Sequence, residues 1–180
     1  MRIFLFRVVG AATLDANVYE DVEADANATL QAVGVILLAS LASGFGANGW
    51  NATPQSMLTY SAVVAVLALL GWTSWAVVTF EIGGRLLPER QTRVDIGELL
   101  RTIGFSAAPA LFLIFGAFGA TTMVFAVTAV WMLATMVMAV RQALDYASTA
   151  RALIVCGLGW FLTLVFIVGL GLFFGPGLAA

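Results

Sequence analysis

Three long stretches without any Asp, Glu, Lys or Arg indicate where this chain crosses a membrane. They are residues 26–80, 102–140 and 152–180. A helix that crosses the hydrocarbon core of a bilayer needs about 20 predominantly apolar residues. The first stretch is too long for one span, and Gly, Asn and Pro residues at positions 44–56 divide it. It therefore predicts two helices joined by a short turn.

The second stretch is also predicted to cross twice. As a single helix, residues 102–140 would be roughly 58 Å long, about twice the thickness of the hydrocarbon core. The break falls at the Gly-rich residues 116–122, and the last stretch adds a helix that ends at Gly175-Pro176-Gly177. The predicted fold is all-α, a polytopic bundle of five transmembrane helices, with spans near 28–47, 57–80, 103–118, 121–140 and 152–174.

Residues 1–27 are predicted to form a cytoplasmic segment at the membrane surface, ahead of one five-helix domain in residues 28–180. Arg2 and Arg7 lie among apolar side chains, a pattern that favours guanidinium contacts with lipid phosphates. The alternative is that the first residues are the frayed start of an ordinary helix.

The second half of this segment predicts an amphipathic helix. Leu14, Val18 and Val22 recur at four-residue spacing, and most of the acidic residues lie at other positions. Thr13 is the predicted N-cap of this helix.

Further along the chain, Gly83-Gly84 and Pro88 are predicted to end the second span. The following residues lead back into the membrane through the sequence VDIGELLR.

The basic residues predict the orientation, because Arg and Lys accumulate in short cytoplasmic loops. With five spans, every basic residue faces one compartment, whereas a single pass through residues 102–140 would separate the last two from the rest. The prediction is an N-terminus in the cytoplasm and a C-terminus outside it. The eight basic residues are Arg2, Arg7, Arg85, Arg90, Arg93, Arg101, Arg141 and Arg151.

Composition excludes several classes of protein. Hydrophobic residues make up 62% of the chain and charged residues 10%, against roughly a quarter charged in a soluble domain. There is no Lys and no His, and Cys156 is the only Cys. The composition therefore excludes a nucleic-acid surface built from clustered basic residues. It also excludes a disulfide framework and a Cys/His zinc site within this chain. We predict no cofactor, no metal and no catalytic residues.

The membrane spans contain no ionisable residue near their centres, and this disfavours proton relays, ion paths and intramembrane enzymes. The acidic residues Asp21, Glu23 and Asp25 precede the first span. A divalent cation site is one interpretation of this cluster. We expect instead a solvated face or ion pairs across a charged cytoplasmic surface, with Arg90, Arg93 and Arg101 as partners.

Small residues in the spans predict close helix packing. Gly171 and Gly175 form a GxxxG pair, a spacing that lets helix backbones approach in a membrane. Met132 and Met136 lie one turn apart and are expected to be adaptable packing residues, with a partner-binding stripe as the alternative.

The sequence Gly104-Phe105-Ser106-Ala107-Ala108-Pro109 at the start of the third span resembles the Gly-aromatic-small…Pro signature of the Yip1 domain family. The leader before the first span and the segment ALDYASTARAL before the last also look like bacterial members. The resemblance implies a five-span fold with a cytoplasmic N-terminus. Pro109 should free carbonyl groups that a neighbouring helix must satisfy, so Gly104, Phe105 and Pro109 are predicted packing residues.

Eukaryotic members of that family are associated with Rab GTPases through long cytoplasmic tails and an Asp-Leu-Tyr-Gly-Pro motif. This chain has neither. The resemblance therefore implies a bacterial-type protein of the inner membrane and carries no catalytic residues.

Taken together, these patterns predict a non-enzymatic integral membrane protein. It would act as a scaffold or accessory subunit of a membrane complex, or as a self-associating membrane organiser. Its partners would be the lipid bilayer and either another membrane protein or further copies of itself, but not nucleic acid. The alternative is a permease or channel for a small neutral solute.

Overall fold

The computed structural model describes residues 2–50 and 53–178, with side chains described up to residue 165 and at Val168. The described residues are helical and contain no strand. The α-helices are α1 (Arg2–Ala12), α2 (Ala16–Ala24), α3 (Ala28–Asn48), α4 (Pro54–Thr79), α5 (Ile96–Phe105), α6 (Thr121–Ala143) and α7 (Thr149–Leu178). A π-helix (Phe80–Leu86) continues α4, and a 3-10 helix (Ala108–Phe118) follows α5.

Four helical segments within the described residues are long and apolar enough to cross a membrane. They are Ala28–Asn48, Pro54–Leu86, Ile96–Phe118 and Thr121–Ala143. The part of α7 with continuously described side chains contributes a shorter apolar helix, Thr149–Val165. The α7 backbone is helical to Leu178, so the prediction that Gly175-Pro176-Gly177 ends this helix is wrong. The prediction of an all-helical membrane protein is therefore confirmed, while the fifth span stays a prediction.

The N-terminal segment is a hairpin of two helices. The Thr13 hydroxyl donates back to the Val9 and Gly10 carbonyls at 3.0 and 3.1 Å, so Thr13 ends α1. The Asp15 side chain accepts the Asn17 N–H and caps α2. The prediction of Thr13 as N-cap is therefore wrong, because a carboxylate two residues later serves α2.

This hairpin packs into the bundle core. Tyr19 is buried, and its hydroxyl lies 3.1 Å from the Ala11 carbonyl of α1 and 3.4 Å from the Thr135 carbonyl of α6. Trp131 of α6 donates its indole N–H to the Ala12 carbonyl at 2.7 Å. A Cβ at Gly10 would overlap the Val18 side chain. The two short helices are thus fixed to each other and to α6.

The α4 helix continues through the Gly83-Gly84 pair, contrary to the sequence prediction. The Tyr146 hydroxyl lies 2.9 Å from the Gly83 carbonyl and 2.7 Å from that of Leu87. The Tyr146 side chain, from the connection between α6 and α7, therefore binds backbone carbonyl groups at the π-helical turn. The helix ends at Leu86, two residues before Pro88.

The Gly104-to-Pro109 motif lies where three elements meet. A Cβ at Gly104 would lie 2.5 Å from the Cβ of Ala32 on α3, so only Gly permits this approach. Phe105 is fully buried against Phe4 of α1. Pro109 has no N–H, and Thr135 of α6 donates to the nearby Ser106 carbonyl at 2.7 Å. A side chain of a neighbouring helix thus satisfies a backbone carbonyl three residues before Pro109.

The third and fourth spans meet at a tight turn. Gly119 has a φ of 94°, a left-handed conformation that favours Gly, and α6 begins two residues later. This turn lies within the predicted break at residues 116–122. Close to it, a Cβ at Gly46 of α3 would overlap the Leu113 carbonyl of the 3-10 helix.

Candidate functional site

Arg7 is the centre of a part-buried ion-pair cluster between α1 and α2. Its guanidinium donates to Asp21 at 2.7 Å, to Asp25 at 2.9 Å and to the Gln31 side chain at 3.2 Å. The Arg7 side chain is 5% exposed. A charge held away from solvent needs paired, hydrogen-bonded partners, and this cluster supplies them.

The structure therefore differs from two sequence predictions. Arg7 points into the protein and not towards lipid phosphate. Its guanidinium also occupies Asp21 and Asp25, which were expected to pair with arginines of the later loops or to bind a cation. The Arg7 hydrogen bond, followed by the Asn27 backbone N–H, lowers the pKa of Asp25 below its ordinary value.

Arg90, Arg93 and Arg101 were predicted to pair with Asp21, Glu23 and Asp25. Among the described contacts, Arg101 is the one of these arginines that reaches this cluster, and it does so at a backbone carbonyl. Its guanidinium donates to the Glu23 carbonyl at 2.6 and 3.0 Å. This contact ties the C-terminal end of α2 to α5. Arg90 and Arg93 are exposed and make no ion pair within the described part of the chain.

A polar cavity of about 510 Å³ lies between α2, α5 and the connection from α6 to α7. Burial, with the Glu98 and Asp145 carboxylates next, raises the pKa of Glu23 to about 7, and Arg101 opposes this rise. Glu20 also contributes to the acidic wall, while Arg141 carries the opposite charge. We refer to the end of the bundle around this cavity as the charged end.

Further side-chain contacts hold the charged end together. Arg151 at the start of α7 pairs with Glu89 at 3.2 Å. Gln91 donates to the Asp145 carbonyl at 3.1 Å, and Gln142 donates to Glu20 at 3.1 Å. The loop between α4 and α5 is thereby attached to the connection between α6 and α7.

A second cavity, of about 520 Å³, lies among the membrane spans. We call it the apolar cavity, because its lining carries no charged side chain. Trp75 of α4 and Trp160 of α7 stack on one side with ring centroids 6.2 Å apart. Gly159 makes room for this stack, since a Cβ there would lie 2.7 Å from the Trp75 ring.

The hydroxyl groups on this lining are mostly occupied. Ser40, Ser106 and Thr163 donate to carbonyls of their own helical segments at 2.7 to 2.9 Å. Trp72 donates its indole N–H to the Leu100 carbonyl at 2.8 Å. The Trp75 indole nitrogen has no hydrogen-bond partner among the described residues. The cavity wall therefore presents chiefly hydrocarbon and aromatic carbon.

Two tryptophans in the second half of α4, Trp72 and Trp75, line the apolar cavity. Met132 and Met136 also line it. Their one-turn spacing was the available signal, and it could not distinguish a packed face from a cavity wall. The predicted packing pair Gly171 and Gly175 lies outside the described side chains.

The described residues include no group of three or more acidic or Cys side chains arranged to hold a metal ion. Comparison with family models, with curated proteins and with solved structures gives no match for this chain. The resemblance to the Yip1 domain family therefore rests on the sequence motifs alone.

Proposed function

We propose that this chain is a non-enzymatic scaffold or accessory subunit of a membrane protein complex, or a self-associating membrane organiser. We further propose a five-span, Yip1-like topology in a bacterial inner membrane, with the N-terminus in the cytoplasm. The arginine distribution supports the orientation, because positively charged loops remain on the cytoplasmic side. The 30 residues of α7, roughly 45 Å of helix, are long enough for the fifth span.

The observation that carries this proposal is the construction of the charged end. Arg7 and Arg101 use their hydrogen bonds to fix α2 to its neighbours. Arg90 and Arg93 stay exposed in the loop between α4 and α5, which Gln91 attaches to the connection between α6 and α7. A partner would therefore meet charged groups on a surface that is already ordered, which lowers the entropic cost of association.

Purification in mild detergent followed by mass spectrometry tests this proposal. A stable partner should accompany the wild-type chain and be depleted with R90A/R93A, because rim charges support association with an oppositely charged surface. Arg85→Ala is the matched control, since Arg85 is exposed but already paired with Glu81 at 2.8 Å. Equal recovery of the partner with both variants would contradict a role for the exposed arginines.

Self-association is tested separately at the predicted GxxxG pair. Replacing Gly171 and Gly175 with Leu should dissociate an assembly that uses this face, because the larger side chains prevent close backbone approach. Native gel migration measures the result. Unchanged migration of an assembled species would remove this interface from the proposal.

A permease for a small neutral solute is the second candidate, and the apolar cavity is the observation that favours it. A volume of about 520 Å³ lies within the range of about 300–1,000 Å³ for small-molecule sites. Proteoliposomes containing only this chain should then show saturable flux of a neutral solute. Flux equal to that of protein-free liposomes would reject this candidate and leave the scaffold proposal intact.

A further inference from the structure

We propose that the apolar cavity binds one acyl chain of a bilayer phospholipid. The inference goes beyond the proposed scaffold function and does not depend on it. It rests on the position of the cavity, its lining, its opening and its length.

The first argument is the chemistry of the wall. Charged side chains are absent from the lining, and Ser40, Ser106 and Thr163 already donate to carbonyls of the protein. The polar groups that remain on the lining are the Ser43 hydroxyl and the Trp75 indole N–H, which has no partner among the described residues. A buried water needs about two to four polar partners, so this wall is poorly suited to a cluster of waters, whereas an alkyl chain needs only dispersion contacts.

The second argument is access. On the α5 side, the lining residue Ile103 is buried in a packed cluster with Leu99 and Ala143. Two other lining residues, Leu133 of α6 and Trp160 of α7, are 43% and 36% exposed and mark the open side of the cavity. Since α6 is a candidate membrane span, the medium beside Leu133 is the bilayer. Lipid chains therefore surround the open side.

The third argument is length. The lining of α4 extends from Val64 to Trp75, roughly 16 Å of helix. This is about half of the 30 Å hydrocarbon core, which is the depth covered by the chains of one leaflet. The cavity therefore matches a single acyl chain that enters sideways from that leaflet. Met132 and Met136 suit such a ligand, because Met side chains adapt to an irregular apolar surface.

Gly71 provides a direct test, because it lines the cavity and a Cβ there would meet no atom within 4 Å. Gly71→Phe places a ring in the space proposed for the acyl chain. Gly157→Phe is the matched control: Gly157 also has open space around its Cβ, but it does not line the cavity.

The probe is phosphatidylcholine with brominated acyl chains, titrated into the purified full-length protein in detergent. Bromine quenches the fluorescence of the three tryptophans that line the cavity, Trp72, Trp75 and Trp160, when the chain enters it. We expect saturable quenching for the wild type and Gly157→Phe, and binding weakened by about tenfold or more for Gly71→Phe. Native mass spectrometry should show one retained phospholipid per chain for the first two proteins only.

Two results would overturn the proposal. One is equal saturable quenching and lipid retention in Gly71→Phe and Gly157→Phe. The other is quenching that rises with lipid without saturation in the wild type, which indicates bulk partitioning. If Gly71→Phe does not fold, Ala68→Leu on the same wall gives the same test with a smaller side chain, and retention of lipid by that variant would count equally against the proposal.

Discussion

Arg7 should hold α1 against α2 and, through Gln31, against α3, and its replacement by Met tests this directly. Met keeps much of the apolar stem of the side chain and removes the guanidinium. Hydrogen bonds between charged groups contribute about 1.5–3 kcal/mol each. Asp21 is 54% exposed, so water can replace much of what that carboxylate loses. We therefore expect Arg7→Met to cost about 2 kcal/mol, roughly one such bond.

The assay uses the single cysteine of the chain. Cys156 is buried, and a C156A background leaves no thiol. Ala11 of α1 is fully buried, so A11C reacts with a maleimide only when the hairpin opens. A loss of about 2 kcal/mol should speed this alkylation by about 30-fold, since 1.36 kcal/mol is a factor of ten. Arg85→Met, which breaks an exposed pair, should change the rate little.

The two carboxylates provide the reciprocal test. Replacing Asp21 and Asp25 with Asn leaves the buried Arg7 charge without a counter-ion, and should open the hairpin more than Arg7→Met does. The triple variant lacks both signs of charge and should recover part of the loss. Unchanged alkylation in Arg7→Met, or a triple variant that opens most of all, would refute the ion-pair explanation.

Three further predictions concern the charged end and the helix crossings. The pKa of Glu23 is raised from 4.5 to about 7, so its contribution to stability is complete below pH 4.5 and decreases as pH rises to 7. Glu23→Gln should therefore make the melting temperature depend less on pH across this window. Parallel curves of melting temperature against pH for the variant and the wild type would contradict this. Gly104→Ala should lower the free energy of unfolding by about 1–3 kcal/mol through overpacking, whereas Gly34→Ala, which has open space, should be neutral or stabilising in the same thermal assay. Tyr146→Phe should cost about 1 kcal/mol and speed hydrogen exchange in the π-helix, which an unaltered exchange rate would refute.

Helix boundaries could be predicted where local chemistry decides them. The break near Gly119 follows from length and Gly content, and α5 begins after Asp95 because that side chain and Glu98 form a reciprocal cap. Gly83 shows the limit of such reasoning. A Gly pair predicts a helix end, but the hydroxyl of Tyr146, 63 residues away, stabilises the extended turn. The stabilisation from that contact cannot be predicted from the residues next to Gly83 in the sequence.

The sequence by itself determined that the chain is helical and apolar enough to enter a membrane, because spans and their breaks depend on residue type over about 20 neighbouring positions. Tertiary structure alone decided which charges meet. By sequence alone, Arg7 could equally well contact a lipid phosphate. In the structure, the turn between α1 and α2 brings Arg7 next to Asp21, 14 residues further along the chain. The apolar cavity likewise arises from the spacing of six helical segments, which no single helix encodes.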